Sequence, residues 1–304
     1  MRVVSALLLV LPLLAGKAGA QSWVPARGEG SVSLTFQNYD VAGHFDVLGR
    51  KNTNGGTQSQ AVVTEFDYGV TDTIGLAVSL PFIASKYTGP PVYFVGGHET
   101  HPGPLDDRHY HGAFQDVRVE MSRLFWAGPV ALAPFVGGSF PTHNYETVGE
   151  AVPGRHRRDY QVGANAGVDL DRIVPRTYVH GRYAYATAQQ LENHPFTRSN
   201  IDVEGGYSAT SRIALRGLVG LQIRHQGPAL SELSDDWENH DRFIAPSYFN
   251  VGGGVSVSVT STTDVYALLV GTVSGSNGAH RARTIAAGVS FGLWSRLQGL
   301  GMFP

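Results

Sequence analysis

RIALRGLVGLQIR, residues 212–224, decides the fold. Ile213, Leu215, Gly217, Val219, Leu221 and Ile223 fall on one face at period two. Arg212, Ala214, Arg216, Leu218, Gly220, Gln222 and Arg224 fall on the other. Strict alternation over this length is the mark of a β-strand with one face out of water. Three arginines on one face and none on the other require that the two faces meet different media.

The pattern recurs along the chain. Val62, Thr64, Phe66 and Tyr68 oppose Val63, Glu65 and Asp67, and Ile74, Leu76, Val78, Leu80 and Phe82 oppose Gly75, Ala77, Ser79 and Pro81. Val117, Val119 and Met121 oppose Asp116, Arg118, Glu120 and Ser122. Similar segments run over 160–170, 178–186, 200–208, 248–259 and 282–293, and 31–39, 130–140 and 264–274 are strands by composition. The facing of 130–140 and 264–274 is ambiguous. The expectation is about twelve strands, an even number as single-chain outer-membrane barrels carry.

Connection lengths separate a barrel from a soluble sandwich, which shows alternation too. Short connections at 70–73, 126–129, 171–175, 208–211 and 260–263 alternate with long ones at 42–57, 85–112, 141–157, 187–198, 226–243 and 275–280. An all-β, up-and-down antiparallel transmembrane barrel, with short periplasmic turns and long external loops, predicts that asymmetry. Greek-key sandwiches do not. Trp23, Trp126 and Trp294 fall at the short-turn side beside Tyr68 and Tyr207, where an interfacial girdle is expected, and Trp237 lies in a long loop.

Composition agrees. Charged residues are 16% of the chain, against about 25% in ordinary soluble domains, and glycine stands at 38 of 304 with no collagen period. There is no cysteine, so disulfides do not staple the fold. Arg2, the apolar run Val3 to Ala15 and Ala18-Gly19-Ala20 read as a signal peptide over 1–20, sending the chain out of the cytoplasm. Residues 21–304 then form a single barrel domain with strands over about 31–293 and a short tail, 295–304. Removing Arg2 and Lys17 takes the formal charge from −2 to −4, too mild to suggest a nucleic-acid partner.

Three stretches, FDYGVTDTIGLAVSLPFI (66–83), GAFQDVRVEMSRLF (112–125) and ALAPFVGGSFPTHNY (131–145), resemble the outer-membrane family associated with the MetA pathway of phenol degradation. The resemblance implies a transporter-like barrel of the bacterial outer membrane, linked with uptake of aromatic or other hydrophobic compounds. It names no catalytic residue. GVSFGL (288–293) also looks like the terminal strand signal read by the barrel-assembly machinery, a partner during biogenesis.

The lumen carries the candidate chemistry. Glu65, Asp67, Asp116, Arg118, Glu120, His180, Arg182, Asp202, Glu204, Arg212, Arg216 and Arg224 share the inward face and are the lining candidates. They either select among solutes or pair into a structural network. Arg281 and Arg283 sit at the external end with outward parity, either meeting lipopolysaccharide phosphates or serving as no more than loop residues. Lipid and lipopolysaccharide are the surrounding partners this fold implies.

GGHETHPGPLDDRHYHG (96–112) raises a metal question with His98, His101, His109 and His111 around Asp106 and Asp107. Histidine is spread over every long connection, however, and only His180 falls within an expected strand. No dedicated metal site and no cofactor are expected, and loop 85–112 is the expected lid. No G-x-S-x-G, H-E-x-x-H or Walker-like sequence occurs, so no catalytic residue is assigned. The expected function is passive uptake of a small hydrophobic or aromatic solute. A structural or adhesin-like surface barrel and a lipid-active enzyme using His180 are the other readings.

Overall fold

The structure is a computed structural model that describes residues 24–53, 56–89, 94–95, 98–99, 103–127, 130–191, 194–233 and 239–293 (of 94–95 and 98–99, the backbone only). The expected signal peptide and tail, His101, and the tryptophans 23, 237 and 294 lie outside those residues.

Twelve antiparallel strands close into a barrel. They are β1 (Gly30–Phe45), β2 (Thr57–Gly69), β3 (Ile74–Tyr87), β4 (two segments, His111–Phe114 and Val117–Arg123), β5 (Val130–Phe140) and β6 (Asp159–Asp169). There follow β7 (Thr177–Leu191), β8 (His194–Ser208), β9 (Ile213–Gln226), β10 (Ser247–Ser258), β11 (Thr263–Ser276) and β12 (His280–Gly292). Each pairs with the next, and β1 pairs with β12 from Ser31↔Gly292 to His44↔His280, leaving no open edge. Closure satisfies every ladder within the sheet, the condition for crossing hydrocarbon with strands. Every strand expected from the alternation is present.

The burial pattern turns the usual globular order inside out. Leu34, Phe36, Val62, Phe82, Val119, Met121, Val162, Leu215, Val219, Val251, Leu269 and Ile285 are exposed on the outer wall. Ser33, Thr35, Gln37, Ser59, Ser85, Asn165, Arg216 and Gln222 are buried within. An apolar coat over a polar interior is stable only where the outer medium is lipid. Phe125, Trp126 and Tyr207 are exposed near the short turns, where an aromatic girdle belongs.

β5 and β11 read ambiguously in sequence because both of their faces are apolar. Ala131, Ala133 and Phe135 point inward while Val130, Leu132 and Val136 point outward. In β11, Tyr266 and Leu268 point inward and Val265, Leu269 and Val273 outward.

Three periplasmic turns are built alike. Thr71, Thr210 and Thr260 each donate a backbone N–H to the carbonyl three residues on, at 3.1, 3.2 and 3.2 Å. The Thr71 hydroxyl oxygen accepts the N–H of Ile74 at 2.9 Å, that of Thr210 accepts Ile213 at 3.0 Å, and that of Thr260 accepts Thr262 at 3.2 Å. A threonine opening a tight turn satisfies the amides that the ladder releases.

Strands run into several of the expected external loops, most fully in two places. Residues 187–198 and 275–280 were expected as long loops. Instead β7 and β8, 15 residues each, run on as a hairpin, and only residues 277–279 separate β11 from β12. These extensions, which include Thr187, Gln189, Gln190, His194 and Thr197, stand beyond the hydrophobic belt, so hydrophobic alternation fades while the strand continues. Histidine placement changes accordingly. His44, His111, His194, His225 and His280 are strand residues beside His180, and the backbone of His98 lies in a two-residue strand.

Candidate functional site

One wall of the lumen is charged. Glu65 and Asp67 from β2, Asp116 between the two segments of β4, Arg118 and Glu120 from β4, Arg182 from β7 and Asp202 from β8 all line one cavity of about 240 Å³. Arg182 forks onto Glu120, with Nη2 to Oε2 at 2.8 Å and Nη1 to Oε1 at 3.0 Å, and lies 3.8 Å above the Phe135 ring. Such a bidentate pair fixes both side chains and offsets their desolvation. The Ser33 hydroxyl donates to Glu65 at 3.3 Å, and the Tyr145 hydroxyl donates to Asp116 at 2.5 Å.

Below this cavity the Tyr178 hydroxyl donates to Glu204 at 2.7 Å, Arg216 stands 3.8 Å from the same carboxylate, and His180 packs 4.7 Å from the Tyr178 ring. Tyr178 lies across Gly206 so closely that a Cβ there would sit 2.1 Å from the ring, so only glycine admits this placement. His180, Glu204 and Arg216 are therefore grouped apart from the seven residues of the main cavity. The two remaining lining candidates sit elsewhere. Arg212 has inward parity but lies one residue before β9, exposed in the turn. Arg224 is at the external end, where its guanidinium donates to the carbonyls of Gly227 and Pro228 at 3.4 and 3.3 Å.

The opposite wall is apolar. Leu218, Tyr266, Leu268 and Ala286 cluster against Val270, and Tyr39, Val41 and Ala282 continue the cluster toward the external end. A smaller recess of about 60 Å³ opens there, lined by Tyr39, Ile244, Leu268, Val270, Ala282 and Ala286 among others.

Two external loops fold inward to close the mouth. In the first, Glu150, Ala151, Val152 and Arg157 are buried. The Asp106 carboxylate accepts the N–H groups of Glu150 and Ala151, each at 2.9 Å, and that of Gly103 at 3.0 Å. Burial raises the Asp106 carboxyl above the usual range, while these three N–H bonds pull against that rise. Gly149 has φ +112° and meets Gly103 so closely that a Cβ on Gly103 would lie 2.3 Å from the Gly149 Cα. The Gln115 amide donates to the Pro153 carbonyl at 2.8 Å and the Thr57 hydroxyl to the Glu150 carbonyl at 3.3 Å, anchoring the segment across the mouth. In the second loop, Leu230, Leu233, Phe243 and Ile244 form a buried cluster, with the short helix α1 (His240–Phe243) at its end.

The lid expected over 85–112 contributes Asp106 to this closure, and its described part around Asp107 stays in solvent. There the Asp107 carboxylate meets His111 Nε2 at 2.8 Å and His109 Nδ1 at 3.4 Å. Among the described residues no cluster of three or more histidine, cysteine or acidic side chains is arranged to hold a metal ion.

Sequence reasoning missed Arg155, Arg157, Asp159 and Arg198, which also line the main cavity. The signal for Arg155, Arg157 and Asp159 was present as RHRRD (155–159), and Arg198 shares the parity of Asp202.

No family model matches this sequence, and no curated protein matches it. Solved structures do. The COG4313 outer membrane channel from Pseudomonas putida F1 is similar over 90% of this chain and 98% of its own, at 12% identity and a TM-score of 0.66. The β domain of the Bordetella autotransporter BrkA is similar over 88% of this chain and 100% of its own, at 10% identity and a TM-score of 0.50. At such identities the likeness is one of fold. The closed strands, the apolar outer coat and these neighbours define an outer-membrane β-barrel, and the chain resides in a bacterial outer membrane.

Proposed function

We propose that this barrel is a passive channel for a small solute with a hydrophobic, aromatic-type body, and not an enzyme. The observation that carries the reading is the lumen itself. A cavity of about 240 Å³ lies inside a closed wall, with paired charges on one side and apolar side chains on the other. Loops rather than a separate domain cap it among the described residues, and no energy-coupling motif appears in the sequence. The fold neighbour from Pseudomonas putida is described as an outer membrane channel, which favours the same reading. The aromatic character of the solute draws on the resemblance in residues 66–83, 112–125 and 131–145.

In this mechanism the external loops admit the solute, the narrow lumen discriminates by shape and charge, and the gradient supplies the direction. Purified, folded protein reconstituted into planar bilayers and liposomes tests it. Conductance steps, and faster entry of small aromatic solutes than into empty vesicles, are the expected results. Vesicles that stay sealed while carrying folded barrel reject the proposal.

A further inference from the structure

Three guanidinium groups surround a single buried phenyl ring at the external end of the lumen. Arg155, Arg157 and Arg198 stand 4.8, 5.7 and 4.8 Å from the centre of the Phe196 ring. Among the described residues only one acidic side chain bonds to any of the three, Asp159, which pairs with Arg198 Nη2. Arg157 spends its donors on backbone carbonyls, those of Gln189 at 2.9 and 2.5 Å, His194 at 3.1 Å and Arg242 at 3.1 Å. Nε and Nη1 of Arg198 are buried without an acceptor.

Arg155 is the least satisfied. Its Nη1 is buried without an acceptor, and no hydrogen bond or ion pair reaches its guanidinium among the described residues. The nearby Asp241 meets His240 at 3.2 Å through Oδ1, and its charge acts on Arg155 without a direct bond. Arg155 is half-buried, and Asp241 and Asp159 act on it only across a distance, so the sealed Nη1 without an acceptor carries a solvation cost that a bound anion offsets. Burial, with Arg198 and Arg157 beside it, pulls the Arg155 guanidinium down to about 9.

Position adds a second observation. Arg155 and Tyr248 line both the main cavity and the apolar recess, so this guanidinium stands where the two spaces meet. The main cavity, about 240 Å³, exceeds the ~150 Å³ that holds a benzene ring in a protein interior. The recess beside it, about 60 Å³, is walled by Tyr39, Leu268, Val270 and Ala282.

We propose that Arg155, flanked by Arg157 and Arg198 over the Phe196 ring, binds the carboxylate of a small organic monoanion whose apolar body lies toward Tyr248 and the recess. This deepens the channel reading and rests on it. A singly charged ligand is required because Glu65, Asp67, Asp116, Glu120 and Asp202 line the same cavity and repel a dianion more strongly.

The test measures binding to the full-length folded protein in detergent, using ligand-observed magnetic resonance. The probes are benzoate, its neutral isostere benzamide, acetate and inorganic phosphate. Benzoate should bind about tenfold tighter than benzamide, the worth of one charge-assisted hydrogen bond. R155Q should erase that preference, R155K should keep part of it, and R172Q, in an exposed periplasmic turn, should keep all of it. Heat-modifiable gel migration confirms that each variant is folded. Equal binding of benzoate and benzamide, or a preference that survives R155Q, overturns the site. Acetate or phosphate binding as tightly as benzoate overturns the apolar half. Bilayer currents on the same preparation separate the two readings. Selective binding without conductance sinks the channel and leaves the site, and conductance without selectivity does the reverse.

Discussion

The Asp106 carboxylate accepts the backbone N–H of Glu150 at 2.9 Å and so ties together two external loops 44 residues apart in sequence. It holds Ala151 and Gly103 in the same way. With Gln115 and Thr57, this side chain anchors the segment that folds over the mouth.

D106A should therefore loosen the closure without opening the wall. Hydrogen bonds to a charged acceptor are worth about 1.5–3 kcal/mol each, and three are lost together. Trypsin cleavage within Arg155–Arg158 should appear while heat-modifiable migration persists, and single-channel currents should grow noisier and larger. A D106A barrel as resistant as wild type at these arginines would contradict the assignment.

Glu120 and Arg182 make the second prediction. E120Q leaves Arg182 with Asn165 at 3.4 Å, the Phe135 ring and the cross-strand neighbour Asp202, but no directly bonded carboxylate. Removing one partner of a buried pair costs about 3–5 kcal/mol. The melting temperature should fall, and the reversal potential in a salt gradient should shift toward anions. The double change E120Q/R182M should recover most of the lost stability.

Neighbouring leucines test the facing of β11. Leu269 is 57% exposed on the outer wall and Leu268 only 5% exposed within the lumen. L269R places a cation in hydrocarbon, at about 2–4 kcal/mol near the bilayer midplane. It should depress assembly in bilayers more as bilayer thickness grows. L268R should lose stability through lumen packing instead, with no dependence on bilayer thickness.

Asp107 supplies a pH test. The hydrogen bond from His111, followed by that from the His109 backbone, holds its carboxyl down to about 2. A depressed carboxyl contributes order that is complete above its unfolded value, near 3.9, and is lost as pH falls through about 2. A carboxyl resonance titrating near 2 is expected, and it should move up toward the ordinary aspartate range in H111Q. Titration at the ordinary value in the wild type would show that the contact does not form.

The strands were legible wherever lipid imposed a chemical difference between faces. In β9, Leu215 and Val219 could not share a face with Arg216 without putting a charge in hydrocarbon. In β5 and β11 that difference is missing, because Ala133 and Leu268 line an apolar part of the lumen. Facing was ambiguous there for that reason. Beyond the belt, Thr187 and Gln189 continue β7 with no hydrophobic contrast to mark it. The lumen acids and bases on strands, such as Glu65 and Arg182, were found by parity alone. Arg155 and Arg157 were not, because their position follows from the path of loop 141–158 across the mouth, which has no period to read. Arg212 shows the converse limit, since parity extends into a turn where it no longer means the lumen.

The pairing of β1 with β12 has a consequence for how the molecule comes into being. The first and last strands to be synthesised are the two lips of one seam, joined from Ser31↔Gly292 to His44↔His280. Until residue 280 is available, the growing sheet has two unpaired margins, neither tolerable in lipid nor safe from neighbouring chains. Closure is thus a late event that requires every strand from β1 to β12. A chain cut short before β12 gains nothing from the ten correct hairpin pairings of its eleven strands and remains a target for degradation.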